Sequence, residues 1–138
     1  MNTLFFGTGF WGRGAGAGSW FMADFEGGVW AGDSRASSAA NTNSPSMKIP
    51  FAFGILKAAP GNYAIRGGNG QSGTLTTAYD GATPWAMDNQ GGITLGVGGD
   101  NSNNSWGTFF VGVITAGRPT DTTDALVLSN VQAAGYGK

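Results

Sequence analysis

Glycine occupies 26 of the 138 positions, and it is interleaved with Phe, Trp, Val and Ile rather than pooled with Ser and Pro. With Asn, Ser and Thr filling the gaps, that pattern reads as many short strands joined by tight turns, not as disorder. Hydrophobic residues make up 41% of the chain, enough for a packed core, and the length fits a single domain over residues 1–138. No linker or internal repeat divides it. Only 11% is charged and the net charge is −1, so no field exists to hold nucleic acid or an anionic membrane.

Period-2 alternation marks the strands. Along Trp20–Glu26, residues Trp20, Met22, Asp24 and Glu26 share one face, and Phe21, Ala23 and Phe25 the other. Gly27 and Gly28 turn the chain, and Val29–Ala31 returns as the second strand of a hairpin. Strands are also expected within Met1–Phe10, Phe51–Ala58, Tyr63–Arg66, Gly73–Ala78, Ile93–Gly98 and Thr108–Ile114. Asp33–Ser46 lacks periodicity and reads as a long surface loop. One helix is expected near the C-terminus. Pro119 precedes it, Asp121 caps it with Asp124 three residues on, Val127, Val131 and Ala134 recur at helical spacing, and Gly135 stops it.

Two absences restrict the chemistry. With no His and no Cys, neither Ser-His-Asp nor Cys-His machinery is possible within these residues, nor an imidazole or thiolate zinc site. No run approaches the roughly 20 apolar residues of a membrane helix. The apolar N-terminus lacks a basic n-region and is broken by Gly7 and Gly9, so it reads as a strand rather than a signal peptide. Carboxylates remain, and Glu26 is the only Glu.

Asp24 and Glu26 are i and i+2 on one strand face, beside Trp20 and Met22. Like charges so close raise the pKa of at least one, as an acid or nucleophile site requires. From spacing alone, two acids solvated on an exposed face is the commoner reading. Asp100 follows Gly98-Gly99 and opens a polar loop, where backbone can approach a ligand closely; an Asx-type turn is the plain alternative. A calcium loop is disfavoured, because Ser105 and Val111 stand where a Gly and an acid belong. Trp11 is either a sugar-stacking platform or a core anchor. Arg66-Gly67-Gly68-Asn69 reads as a strand-to-loop junction whose Arg pairs with an acid in the site or at the surface, while Lys48 and Lys57 read as surface residues. Two carboxylates with aromatic neighbours, in a chain without His, point to glycoside hydrolysis.

The string Gly18-Ser-Trp-Phe-Met-Ala-Asp-Phe-Glu26 resembles the nucleophile segment of glycoside hydrolase family 54, the α-L-arabinofuranosidase B type. Ala64-Ile-Arg-Gly-Gly-Asn69 resembles another family segment. Leu95-Gly-Val-Gly-Gly-Asp-Asn-Ser-Asn103, with Gly107-Thr-Phe-Phe-Val-Gly112, resembles the acid/base segment, and Ala116-Gly-Arg-Pro-Thr-Asp121 the end of the catalytic domain. The resemblance covers nearly the whole chain in the right order. It implies an all-β, concanavalin-like antiparallel β-sandwich, whole or partial, with one short C-terminal helix.

It further implies retaining hydrolysis of terminal arabinofuranosyl groups in arabinan- or arabinoxylan-type polysaccharides, with no cofactor and no metal. Glu26 would be the nucleophile and Asp100 the acid/base, with Asp24, Trp11, Gly27, Gly28 and Gly99 on substrate-binding positions. Extracellular action follows by family habit. Two departures bear on this. The family commonly has Asn where this chain has Gly27, and a pair of adjacent cysteines lies in a family segment upstream of Met1. Met1 therefore falls inside the family's catalytic domain. A fragment, whose partner is the missing N-terminal portion of the domain, is the expectation; a genuine short sandwich completed by homodimerisation is the alternative. A non-catalytic carbohydrate-binding or structural sandwich is the alternative function.

Overall fold

The computed structural model describes residues 2–9, 12–25, 28–32, 40–84, 86, 91–96, 102–103 and 106–138. Among them are ten strands and one helix: β1 (Asn2–Gly9), β2 (Gly14–Ala15), β3 (Trp20–Phe25), β4 (Gly28–Trp30), β5 (Asn41–Pro45), β6 (Ala52–Ala59), β7 (Asn62–Asn69), β8 (Ser72–Ala82), β9 (Ile93–Leu95), β10 (Ser102–Asn103) and α1 (Asp121–Ala134). The expected β-sandwich with one helix is what forms.

One sheet runs β10-β1-β3-β4, with β9 also on β1; a second runs β6-β7-β8, and β2 and β5 form a small two-stranded sheet. The β1–β3, β3–β4, β6–β7 and β7–β8 ladders are antiparallel, whereas β9 joins β1 in parallel. The alternation along β3 decides what lies between the sheets. Ala23 and Phe25 join Trp30, Tyr63, Ile65 and Ala78 in the inter-sheet core, with Phe21 packed at its margin. Phe25 meets Tyr63 edge-on at 4.9 Å, a geometry adding about 0.5–1.5 kcal/mol beyond area burial. Phe21 lies directly on β7: a Cβ at Gly67 would come within 2.2 Å of its ring, so only glycine admits the ring here. The opposite alternation, Trp20 and Met22, packs with Phe5, Val29 and Ala31 on the far face.

Helix α1 covers the outer face of the second sheet, burying Leu128 and Asp124. Lys57 on β6 donates to Asp121 at 2.6 Å and Asp124 at 2.8 Å, and Arg66 on β7 reaches Asp124 at 2.7 Å. Arg118 ties the approach to the helix to Asp80, and Gln132 ties its last turn to the carbonyls of Asn69 and Gly73.

Several expectations need correction. Lys57 is 4% exposed and ion-paired, not a surface residue, because its partners arrive from a helix 64 residues away in sequence. Lys48 is exposed as expected. The helix cap is Thr120, whose hydroxyl accepts from the Thr123 amide; Asp121 and Asp124 turn to Lys57 instead. Gly135 ends the helix in the left-handed conformation, as read. Arg66–Asn69 belongs to β7 rather than to a loop junction. Part of the expected loop, Asn41–Pro45, pairs in parallel with β2; residues 33–39 lie outside the described ones. The strand expected over Thr108–Ile114 does not form, since a ladder needs a partner and none of the described strands pairs with it.

Candidate active site

Strand β1 is the frame. Its register puts Thr3 opposite Asp24, Phe5 opposite Met22 and Gly7 opposite Trp20 on β3. Asp24 is in turn opposite Val29 of β4. Thr3, Phe5, Met22, Asp24 and Val29 therefore share the face turned away from the second sheet. Trp20 borders it, fixed by its indole N–H to the Ala15 carbonyl at 2.8 Å.

Asp24 is 2% exposed. A carboxyl taken from water this completely is not one of two solvated acids on an open strand, so for Asp24 the plain reading fails. Glu26 and Gly27 lie outside the described residues. Their flanks do not: Phe25 and Gly28 are register partners, so Glu26 falls within the β3–β4 connection, one residue beyond the strand that carries Asp24.

Asp100 and Gly99 also lie outside the described residues, between β9 and β10. Both of those strands attach to β1, with Leu95 opposite Leu4 and Asn103 opposite Thr8. The Gly96 amide adds a hydrogen bond to the Leu4 carbonyl at 2.7 Å. Thus the strands flanking both sequence-read carboxylates belong to one sheet and are organised by one strand. Trp11 lies outside the described residues too. Its neighbour Gly12, at φ 51°, sits so close to Trp30 that a Cβ would fall 2.6 Å from the indole, and its carbonyl accepts from the Ala31 amide.

Sequence reading missed Thr3. It is fully buried, opposite Asp24, and its hydroxyl meets that of Thr94. Threonine is too common, and residues 3, 24 and 94 too far apart in sequence, for any local signal to have found the group. Arg66 is now assigned: it serves the helix clamp and not this face. A cleft of about 190 Å³ lined by Phe21, Ser44, Met47, Lys48, Thr76 and Ala78 opens on the Phe21 side of β3, opposite to Asp24.

The electrostatic perturbations resolved among the described residues also belong to the clamp. Burial pulls the Lys57 pKa down, but the hydrogen bonds and charges of Asp121 and Asp124 outweigh it, and the net shift is upward. The Lys57 hydrogen bond holds Asp121 below its ordinary value. No group of three or more potential metal-ligating side chains occurs among the described residues.

Comparison with known proteins bears on the whole chain. Residues 1–137 match the family described as α-L-arabinofuranosidase B, catalytic. A probable α-L-arabinofuranosidase B of Aspergillus clavatus is 44% identical over 142 residues, covering 99% of this chain and 28% of that relative. An α-L-arabinofuranosidase of Hypocrea jecorina matches at the same identity and coverage. The chain thus spans little more than a quarter of the curated relatives it matches. Among solved structures, an arabinofuranosidase complexed with arabinofuranosyl-α-1,2-xylobiose superposes with a TM-score of 0.74 at 38% identity, over 92% of this chain and 27% of that one. A family 54 α-L-arabinofuranosidase soaked with a cyclic sulfate inhibitor gives 0.72 at the same identity and coverage. With residues 1–137 matched to the family model and the β-sandwich shared, this chain belongs to the α-L-arabinofuranosidase B catalytic family.

Proposed function

We propose that these residues supply the catalytic carboxylates of a retaining α-L-arabinofuranosidase, with Glu26 as nucleophile and Asp100 as acid/base. The observation that carries the reading is the burial of Asp24 near the end of β3, two residues before Glu26, in a chain of this family. A buried carboxyl beside the nucleophile position is suited to accept hydrogen bonds from sugar hydroxyls. Trp11 would wall the pocket, while Gly27, Gly28 and Gly99 would let backbone groups approach the furanose.

In the first step the Glu26 carboxylate attacks the anomeric carbon as the glycosidic C–O bond breaks. The Asp100 carboxyl gives its proton to the leaving oxygen. In the second step Asp100 takes a proton from water, the water oxygen bonds to the anomeric carbon, and the Glu26 ester bond breaks to release arabinose. Retention by this route needs the two carboxyl groups about 5–5.5 Å apart. The substrate class is a terminal arabinofuranosyl group on an arabinan- or arabinoxylan-type polymer; one relative has been solved with such a group on xylobiose. A polymer too large to import places the reaction outside the cell. Residues 1–138 act within this reading as one domain resembling the C-terminal part of the family's catalytic domain.

Release of 4-nitrophenol from 4-nitrophenyl α-L-arabinofuranoside tests the reading. Glu26→Gln is expected to lower kcat by at least roughly 10³-fold, with folding unchanged. Asp100→Asn is expected to lose most activity toward polymer. Undiminished turnover in Glu26→Gln would overturn the assignment. Sugar binding without turnover, insensitive to Glu26→Gln, would favour a non-catalytic binding sandwich instead.

A further inference from the structure

One rung of the first sheet crosses four strands on a single face: Val29 on β4, Asp24 on β3, Thr3 on β1 and Thr94 on β9. Directly opposed residues hold their Cβ atoms about 4.5–5.5 Å apart, so Asp24 lies between Val29 and Thr3. Phe5 and Met22 form the next rung of that face. All four of these neighbours are buried, and among them only Thr3 has a side-chain proton to donate. Thr3 is itself fully buried, and a buried hydroxyl places its one proton on an acceptor. Two acceptors flank it on the rung, the Asp24 carboxyl and the Thr94 hydroxyl. It meets Thr94.

That choice bears on the chemistry. A bond to an ionised carboxylate is roughly twice as strong as one between neutral groups, so Asp24 is the more attractive acceptor of the two. A carboxyl that receives sugar hydroxyls cannot spend the same lone pair on a neighbouring strand. Asp24 is also almost wholly buried, so few of its orientations present an oxygen to a ligand. Resting on the reading of Asp24 as a sugar-binding carboxyl, we propose that Thr94 is a positioning residue. It takes the Thr3 proton and keeps Thr3 from capturing the carboxyl that receives the arabinofuranose. Thr94 acts through Thr3 on Asp24 and makes no contact with the sugar itself. Without the Thr94 hydroxyl, Thr3 holds a buried proton with no acceptor on its β9 side. That is costly, and rotation about one χ1 bond carries the hydroxyl to Asp24. The carboxyl is then drawn toward β1 and away from the sugar.

The test is a double-mutant cycle read in two ways. In hydrolysis of 4-nitrophenyl α-L-arabinofuranoside, Thr94→Val should lower kcat/KM at least about 10-fold, chiefly by raising KM. Thr3→Val deletes the proton and keeps the β-branched shape, so alone it should cost less than about threefold. The double variant should recover to that same level, the second substitution repairing the first. A merely structural contact predicts the reverse, with the two losses adding. In NMR spectra, Thr94→Val should move the Thr3 χ1 couplings to another rotamer and shift the Asp24 carboxyl carbon. Adding Thr3→Val should return that carbon to its parental position. Additive losses in the double variant, or a Thr3 rotamer unmoved in Thr94→Val, would overturn the proposal. A parent chain that releases no 4-nitrophenol would count against the catalytic reading, while the NMR arm still decides whether Thr94 governs Asp24 through Thr3.

Discussion

Strand β3 and the run 106–114 share a local character, large apolar residues placed on both sides of an extended chain, and they end in opposite states. Every residue of β3 except Phe21 is buried, with β1 on one edge and β4 on the other. In 106–114 every apolar side chain is at least half exposed, and no strand forms. Alternation therefore specifies a capacity to be a strand, and the partner edge decides whether it is used. For β3 the partners lie close by in sequence, with β4 following almost at once.

The sharpest way to break the comparison is a matched pair of truncations. Phe25→Ala, in the inter-sheet core against Tyr63, should cost about 3–5 kcal/mol in urea unfolding. Phe109→Ala should stay within about 0.5 kcal/mol in the isolated chain. Comparable losses would mean that 106–114 is packed in solution. Next in size, Lys57→Met should cost roughly 2–4 kcal/mol. It strands a buried Asp124 that keeps only Arg66, and the loss should appear as reduced helix signal. Thr120→Ala, which removes the helix cap, should cost about 1 kcal/mol by the same measurement.

The smallest effect is in pH. Asp121 is held below its ordinary value of 3.8, so its contribution is complete above that pH and is lost as pH falls through the lowered folded value. Lys57 is raised above 10.5, so its contribution is complete below that pH and is lost as pH rises through the raised folded value. Helix content followed by circular dichroism should be flat between those limits and decline outside them. A midpoint near neutrality would contradict the clamp.

Much of this was legible from local pattern. The two faces of β3 separated as the alternation required, and Phe51–Ala58 and Gly135 marked a strand and a helix stop to within a residue or two. What escaped was whatever depends on a distant partner. Lys57 looked like any surface lysine until α1 brought Asp121 and Asp124 to it. Gly67 looked like a loop glycine until the Phe21 ring settled on it. Thr3 carried no signal, because its relation to Asp24 and Thr94 exists only in the register of β1 with β3 and β9.

The sequence by itself determined that this protein is β-rich, that no His or Cys chemistry is available to these residues, and which strings tie it to its family, because residue types and their spacing carry those facts without any contact. Tertiary structure alone decided that Asp24 is buried, that the clamp charges serve the helix, and that 106–114 pairs with none of the described strands. Burial, ion pairing and strand pairing are relations between residues far apart in the chain, and they exist only once the chain has folded.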